Sequence, residues 1–283
     1  MKKVVFTVFG ISLGVFLIFV LGGKLFTGQF LDEKINELVD SAQKREVVFD
    51  STIAKTLPGV LRYYFEEAVK PGTKLPQLVE TRHEGLFRTS ENASWQKITG
   101  HQYYSAANPG FVWDGEIKYF PGVTMRGIDS YVNGHGNMLI KLLSSITISD
   151  AYGEEMDISS LCRYAVEMVL FPTSMLPSEH VSWQQTGPFK AEMTLTDKKN
   201  TIKLIFFFNE EGLIYKVYTE DRFLTSNAGY VKTPYTVLFE EYKKFDGRNI
   251  PTYIRVMWNE KGGDFEYGQF RITKVSYYDK PEK

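Results

Sequence analysis

One cysteine, Cys162, stands in 283 residues. That excludes an intrachain disulfide and any cysteine-based zinc cluster. Its place inside an apolar helical run marks it as a packing residue. Histidine is nearly as scarce: His83, His101, His135 and His180. None falls in H-E-x-x-H or any other close metal spacing, so a metal site would have to be assembled by the fold. No G-x-S-x-G elbow, Walker loop or dinucleotide fingerprint occurs, and nothing in the sequence asks for a cofactor. Excess charge is missing too. With 33 basic against 34 acidic residues spread along the chain, there is no clustered basic face, which excludes nucleic acid as a partner. Repeats and low-complexity tracts are absent.

What is present is apolar. The chain is 43% hydrophobic and 15% aromatic, enough for a sizeable core. After MKK comes VVFTVFGISLGVFLIFVLGG, 20 uncharged residues from Val4 to Gly23. At helical rise that run covers roughly 30 Å, one hydrocarbon core. Lys2 and Lys3 predict a cytoplasmic amino terminus and an exported remainder, on the periplasmic or extracellular face of the cell membrane. A cleaved signal peptide is the competing reading, with Val20 and Gly22 as a cleavage pair. The apolar run exceeds the roughly 7–15 residues usual for one, and no A-x-A site follows. The expected organisation is a transmembrane anchor (1–24), a helical stalk or linker (25–56), and a β domain (57–283).

From about Leu75 the apolar period changes from helical to two. Phe111, Trp113, Gly115, Ile117 and Tyr119 share one strand face, and Asp114, Glu116 and Lys118 the other. Similar alternation over 189–195, 250–258 and 265–278, broken by turn signals such as Asp246-Gly247, gives roughly ten strands on hairpin-scale connections, hence an antiparallel sheet. In TIKLIFFFN (201–209), Ile202, Leu204, Phe206 and Phe208 face one way, yet Ile205 and Phe207 opposite are also large and apolar. Both faces are therefore expected to be covered, by a helix, a loop or a bound apolar molecule.

The stretch LCRYAVEMVLFPTSMLP (161–177) supplies a cover. Ile158, Leu161, Cys162, Ala165, Met168 and Val169 form a helical stripe, so residues 158–170 are expected to plug the curved sheet. Arg163 and Glu167 lie opposite, flanked by Val166 and Leu170. Arg before Glu is the weaker order for a surface i,i+4 pair. These charges are expected to meet partners on neighbouring strands, because buried charges need pairing.

LPGVLRYY (57–64), GFVWD (110–114), DSYVNGHG (129–136), LCRYAVEMVLFPTSMLP (161–177), VSW (181–183) and FDGRNIPT (245–252) together resemble an uncharacterised bacterial family of membrane-anchored or exported domains. Its proposed fold is related to that of the Lol-type lipoprotein carriers. The resemblance runs from about Leu57 to Tyr278. It implies a mainly β fold with some α: an N-terminal transmembrane helix, then a strongly curved antiparallel sheet, an unclosed half-barrel packed around a helix. It brings no catalytic residue.

Three functions remain in view. The leading one is non-enzymatic binding of a lipid or other lipophilic ligand beside the membrane, with Trp113, Phe206, Phe208, Tyr215, Arg163 and Glu167 as candidate ligand-binding residues. The second is an envelope interaction or scaffolding module with a solid interior. The third is a hydrolase using Asp114 and Glu116, roughly 6–7 Å apart along one strand face, a spacing that an exposed sheet face also produces unaided. His135 in NGHG sits where glycines admit either a ligand or a plain hairpin turn.

Overall fold

In the computed structural model, which describes residues 2–120, 122–226 and 229–279, the chain opens with a single 40-residue helix, α1 (Lys2–Ser41). Two short helices follow, α2 (Ser51–Lys55) and α3 (Gly59–Ala68). Asp50 caps α2 by accepting from the backbone N–H of Thr52 and Ile53 at 2.8 and 2.9 Å, which satisfies donors that the first helical turn leaves free. Then comes a meander: β1 (Leu78–Phe87), β2 (Gln96–Ser105), β3 (Gly110–Phe120), β4 (Val123–Val132), β5 (His135–Leu142) and β6 (Ile146–Tyr152). Helix α4 (Glu154–Glu167) and two 3-10 turns lead to the second set. This comprises β7 (Val181–Gly187), β8 (Lys190–Asp197), β9 (Asn200–Phe208), β10 (Ile214–Thr219), a small ribbon of β11 (Phe223–Ser226) and β12 (Gly229–Lys232), and finally β13 (Tyr235–Phe245), β14 (Arg248–Glu260) and β15 (Gly263–Tyr278).

Thirteen of these strands form one antiparallel sheet in the order β6-β5-β4-β3-β2-β1-β15-β14-β13-β10-β9-β8-β7. The first and last strands pair at its centre, so two meanders run outward to free edges at β6 and β7. Those edges do not pair, and the sheet stays unclosed. Side chains link the two halves instead: Tyr131 Oη donates to Asp197 Oδ2 at 2.9 Å, and Asn200 Nδ2 donates to the Gly134 carbonyl at 2.9 Å. Helix α4 crosses the concave face from one edge to the other, beginning four residues before its apolar stripe does. The β4–β5 turn is Asn133-Gly134, with φ of 56° and 89°, so NGHG is a two-residue hairpin. His135 is exposed beside it, 3.6 Å from Asp157.

The fifteen strands of the described residues exceed the roughly ten legible in the sequence. β4 hides because Ile128 to Val132 are all buried, whichever face they point to. The cause is α1, whose Leu31, Ile35 and Leu38 pack on Val112, Val132 and Tyr103 of the convex face. Thr27 Oγ1 donates to the Ser144 carbonyl at 2.7 Å, and Ser145 Oγ donates to the Val20 carbonyl at 3.1 Å. From Val20 to Leu38 the helix rises about 27 Å, the length of about eight strand residues. Its later half therefore lies along the sheet. The part before Val20 stands clear, with Phe6, Phe9, Ile11 and Ile18 more than 60% exposed.

On β9, Phe206 and Phe208 are buried inside, while Ile205 and Phe207 lie half-buried on the outer face. Among the described residues no helix or loop covers that face, so two of the three expected covers are missing there. Lys190 and Lys216 lay their ammonium groups 5.4 and 4.7 Å from the Phe207 ring centroid, and lysine stems shield the rings.

Candidate functional site

The concave interior is filled unevenly. Towards one end α3 and the chain around Met175 pack it solidly: Tyr64 meets Phe208 at 5.7 Å between ring centroids, and Trp183 meets Phe206 at 5.0 Å. Under α4, between the helix and β1, β2, β13, β14 and β15, a cavity of about 140 Å³ remains. Its walls are mostly apolar, with Phe87, Ile98, Val237, Phe239, Ile254 and Phe270 among them. Phe87, Met138, Tyr267 and Phe270 point inward yet are half-buried rather than buried, which places the mouth beside them.

A polar cluster forms the roof. Arg163 of α4 donates to Asp129 Oδ2 of β4 at 2.6 Å, to Glu167 Oε1 at 3.0 Å and to Gln102 Oε1 of β2 at 3.3 Å. Gln102 returns a hydrogen bond to Glu167 at 2.7 Å. The guanidinium also lies 4.7 Å over the Trp113 ring and 5.2 Å over that of Phe111. Burial opposes the Arg163 charge, but Glu167 and Asp129 outweigh it and hold the guanidinium above the ordinary arginine range. Burial pushes the Asp129 carboxyl up, against the pull of Arg163. The two charges of the plug helix thus tie it to β2, β3 and β4.

Trp113 lies in a bed of glycines. Gly100, Gly115 and Gly127 stand in register on β2, β3 and β4. A Cβ on Gly115 would come within 2.0 Å of the indole, one on Gly100 within 2.6 Å, and one on Gly127 within 3.2 Å. Three absent side chains leave a trough in which the ring rests against the sheet. Its Nε1–H donates to His83 Nε2 at 2.8 Å. Because Nε2 accepts, the neutral imidazole carries its proton on Nδ1. Burial, with Arg163 nearby, depresses the His83 pKa to about 3.

The folded pKa lies below the unfolded value of about 6.5, so between those limits the unfolded chain binds the extra proton and stability falls with pH. At pH 4.5 this costs about 2–3 kcal/mol relative to pH 7. His83→Gln is expected to remove that share of the acid loss, read as the difference in urea-unfolding free energy between the two pH values. An equal loss in both proteins would refute it.

Of the six residues expected to bind ligand, Trp113, Arg163 and Glu167 line the cavity. Phe206 and Phe208 belong to the packed end, and Tyr215 is 44% exposed on the outer face. Tyr215 follows Phe207 outward, 6.4 Å away between ring centroids. Asp114 and Glu116 also face outward: Asp114 is gripped by Arg126 at 2.7 and 3.0 Å, and Glu116 reaches Lys118 at 3.9 Å. They share an open surface groove with His101 and Lys24, away from the cavity. Sequence reasoning missed Gln102, Asp129, Arg222 and the role of His83. Glycines inside strands were the available signal, and only the register lines them up.

An antiparallel half-barrel, plugged by a helix and left hollow beneath it, defines the class of protein. The chain belongs to a family of unknown function, DUF6920, which residues 55–277 match. Its backbone is similar to that of a Vibrio parahaemolyticus domain assigned to outer membrane lipoprotein sorting, with a TM-score of 0.42 and 10% identity over 81% of this chain and 95% of that one. It is similar also to a LolA superfamily protein from Nitrosomonas europaea, with a TM-score of 0.40 and 10% identity over 77% and 93%. A DUF1329 protein from Desulfovibrio piger gives a TM-score of 0.45 and 11% identity over 80% and 91%. No curated protein matches.

Proposed function

We propose that this protein is a membrane-tethered, exported domain that binds a lipophilic ligand in the cavity under α4, without chemistry on it. The observation that carries the reading is the cavity itself: apolar walls, a small set of convergent polar groups and a helical cover. Helix α1 supports it, being long and apolar enough to cross a membrane and fastened along the same sheet. Size restricts the ligand. Dry apolar cavities of about 150 Å³ take up a benzene-sized molecule, so the closed state accommodates part of a single chain rather than a whole two-chain lipid.

The test is photolabelling of the full-length protein in membranes with a diazirine-bearing fatty acid. Adducts are expected on peptides carrying Phe87, Trp113, Val166 or Tyr267. Label confined to α1 would refute the reading. The scaffolding alternative is favoured by one observation, the free edge strand β6, where Ile146 and Ile148 are 42% and 55% exposed. A photoreactive label on Ile148→Cys should then give a discrete adduct with a partner protein, and label found only on lipid would count against it.

A further inference from the structure

Arg163 and Arg222 both line the cavity, and Arg163 is bonded to Asp129, Glu167 and Gln102. Arg222 Nε and Nη1 are buried and have no hydrogen-bond partner among the described residues. The guanidinium rests 4.0 Å over the Tyr235 ring and 5.0 Å over that of Trp258. Ring faces steady a cation but offer no lone pair to its N–H groups. Asp129 and Glu167, the cavity's carboxylates, are both engaged by Arg163. Asp129 feels the Arg222 charge, but among the described residues no carboxylate lies within ion-pair distance of it, and a buried charge needs pairing and hydrogen bonds to be repaid.

The position is held from behind. Thr233 N–H donates to the Arg222 carbonyl at 2.9 Å. Ser159 Oγ of α4 accepts from the N–H of the next residue, Phe223, at 2.9 Å and donates to its carbonyl at 3.1 Å. The cavity has one more spare donor, His83 Nδ1, buried and unpartnered among the described residues, which the Trp113 hydrogen bond leaves protonated. One spare acceptor, Asp129 Oδ1, accompanies them. Among the described residues that line the cavity, the buried unpaired polar atoms are thus three nitrogen donors, two of them on a cation, against a single oxygen.

We infer that the ligand is a single-chain amphiphile with an anionic oxygen head, carboxylate or phosphate, whose head pairs with Arg222 and whose chain lies in the apolar cavity and leaves by its mouth. This rests on the lipophile-binding reading and goes beyond it in naming the head and its partner residue. A planar guanidinium fork presents parallel donors that match two oxygens of either head. An alcohol of equal chain length would leave the cation unpaired, and a quaternary ammonium would be repelled by it.

The experiment uses the full-length protein in phosphatidylcholine nanodiscs, labelled with the diazirine fatty acid. Dodecanoate, dodecyl phosphate and dodecanol compete, and empty nanodiscs supply the partition correction. Dodecanoate or dodecyl phosphate is expected to displace the label at a concentration at least about tenfold below that of dodecanol. The better of the two identifies the head. Arg222→Met is expected to bring the acid-to-alcohol ratio near one with dodecanol displacement unchanged, and Arg222→Lys to fall between. Dodecanol matching the anions in the unaltered protein, or an unchanged ratio in Arg222→Met, would overturn the assignment while leaving lipophile binding intact. Displacement by none of the three would overturn both. The comparison of anion with alcohol in the unaltered protein stands even where a variant fails to fold.

Discussion

Arg163→Met is expected to destabilise the β domain by about 3–5 kcal/mol, because it strands the buried Asp129 carboxylate and the half-buried Glu167 carboxylate at once. Asp129 is 3% exposed, and both Asp129 and Glu167 lose the cation they share. Gln102 still bonds to Glu167, but as an amide it offers no charge. The loss should be read by urea unfolding at pH 7, followed through tryptophan fluorescence, since the same guanidinium lies over Trp113. The triple replacement Arg163→Met, Asp129→Leu, Glu167→Met removes the stranded charges with their partner. It is expected to recover most of the loss, as apolar substitution of buried ion clusters does. A single replacement costing under about 1 kcal/mol would show that water reaches the cluster and that these charges are not struts.

Gly136→Ala is the second large effect, at about 3 kcal/mol. A Cβ there would stand 2.4 Å from the carbonyl oxygen of Met156 and 2.8 Å from its carbonyl carbon. Those atoms are helix backbone, so no rotamer change relieves the clash and α4 has to lift from β5. Ser160 Oγ, 2.7 Å away, closes the other direction. The displacement should also weaken the Arg163 cluster one turn further along, so the fluorescence of Trp113 should shift in the folded state. Gly59→Ala is the control. It has open space around the added carbon and lies in a helix, where alanine gains up to about 1 kcal/mol. Equal stabilities for the two variants would contradict the close packing of α4 on β5.

These two residues show how far the sequence could be read. Arg163 and Glu167 announced themselves as charges in an apolar helix in the wrong order for a surface pair, and the need for partners followed. Which partners could not follow, because Asp129 and Gln102 belong to strands whose distance from α4 in space is set by the curl of the sheet. Gly136 was visible inside NGHG, and the turn chemistry of Asn133-Gly134 was legible. That the glycine after the turn makes room for a helix rather than a ligand depends on where α4 lands. The strand faces of 111–119 and 201–209 were legible from alternation, so Trp113 was correctly turned inward. Tyr215 was not, because β10 slips in register against β9 between Ile214 and Lys216, and alternation carries no information across a bulge. Arg222 gave no signal at all: an arginine before a short ribbon, in a stretch of mixed polarity, reads as solvent.

The fastening of α1 to the sheet has a mechanical consequence. A flexible Gly/Ser-type tether of 30 residues would give a domain a working radius of about 30 Å. Here the helix runs unbroken from Lys2 to Ser41, and its later half is clamped from Ser144 to Asn108 by Thr27 and Ser41. Under the membrane-tethered reading such a domain has almost no radius. It behaves as a fixed berth, standing at one height and one attitude above the bilayer. Cargo would be exchanged with that bilayer or with a visitor that comes to it, and a long aqueous crossing would fall to another molecule.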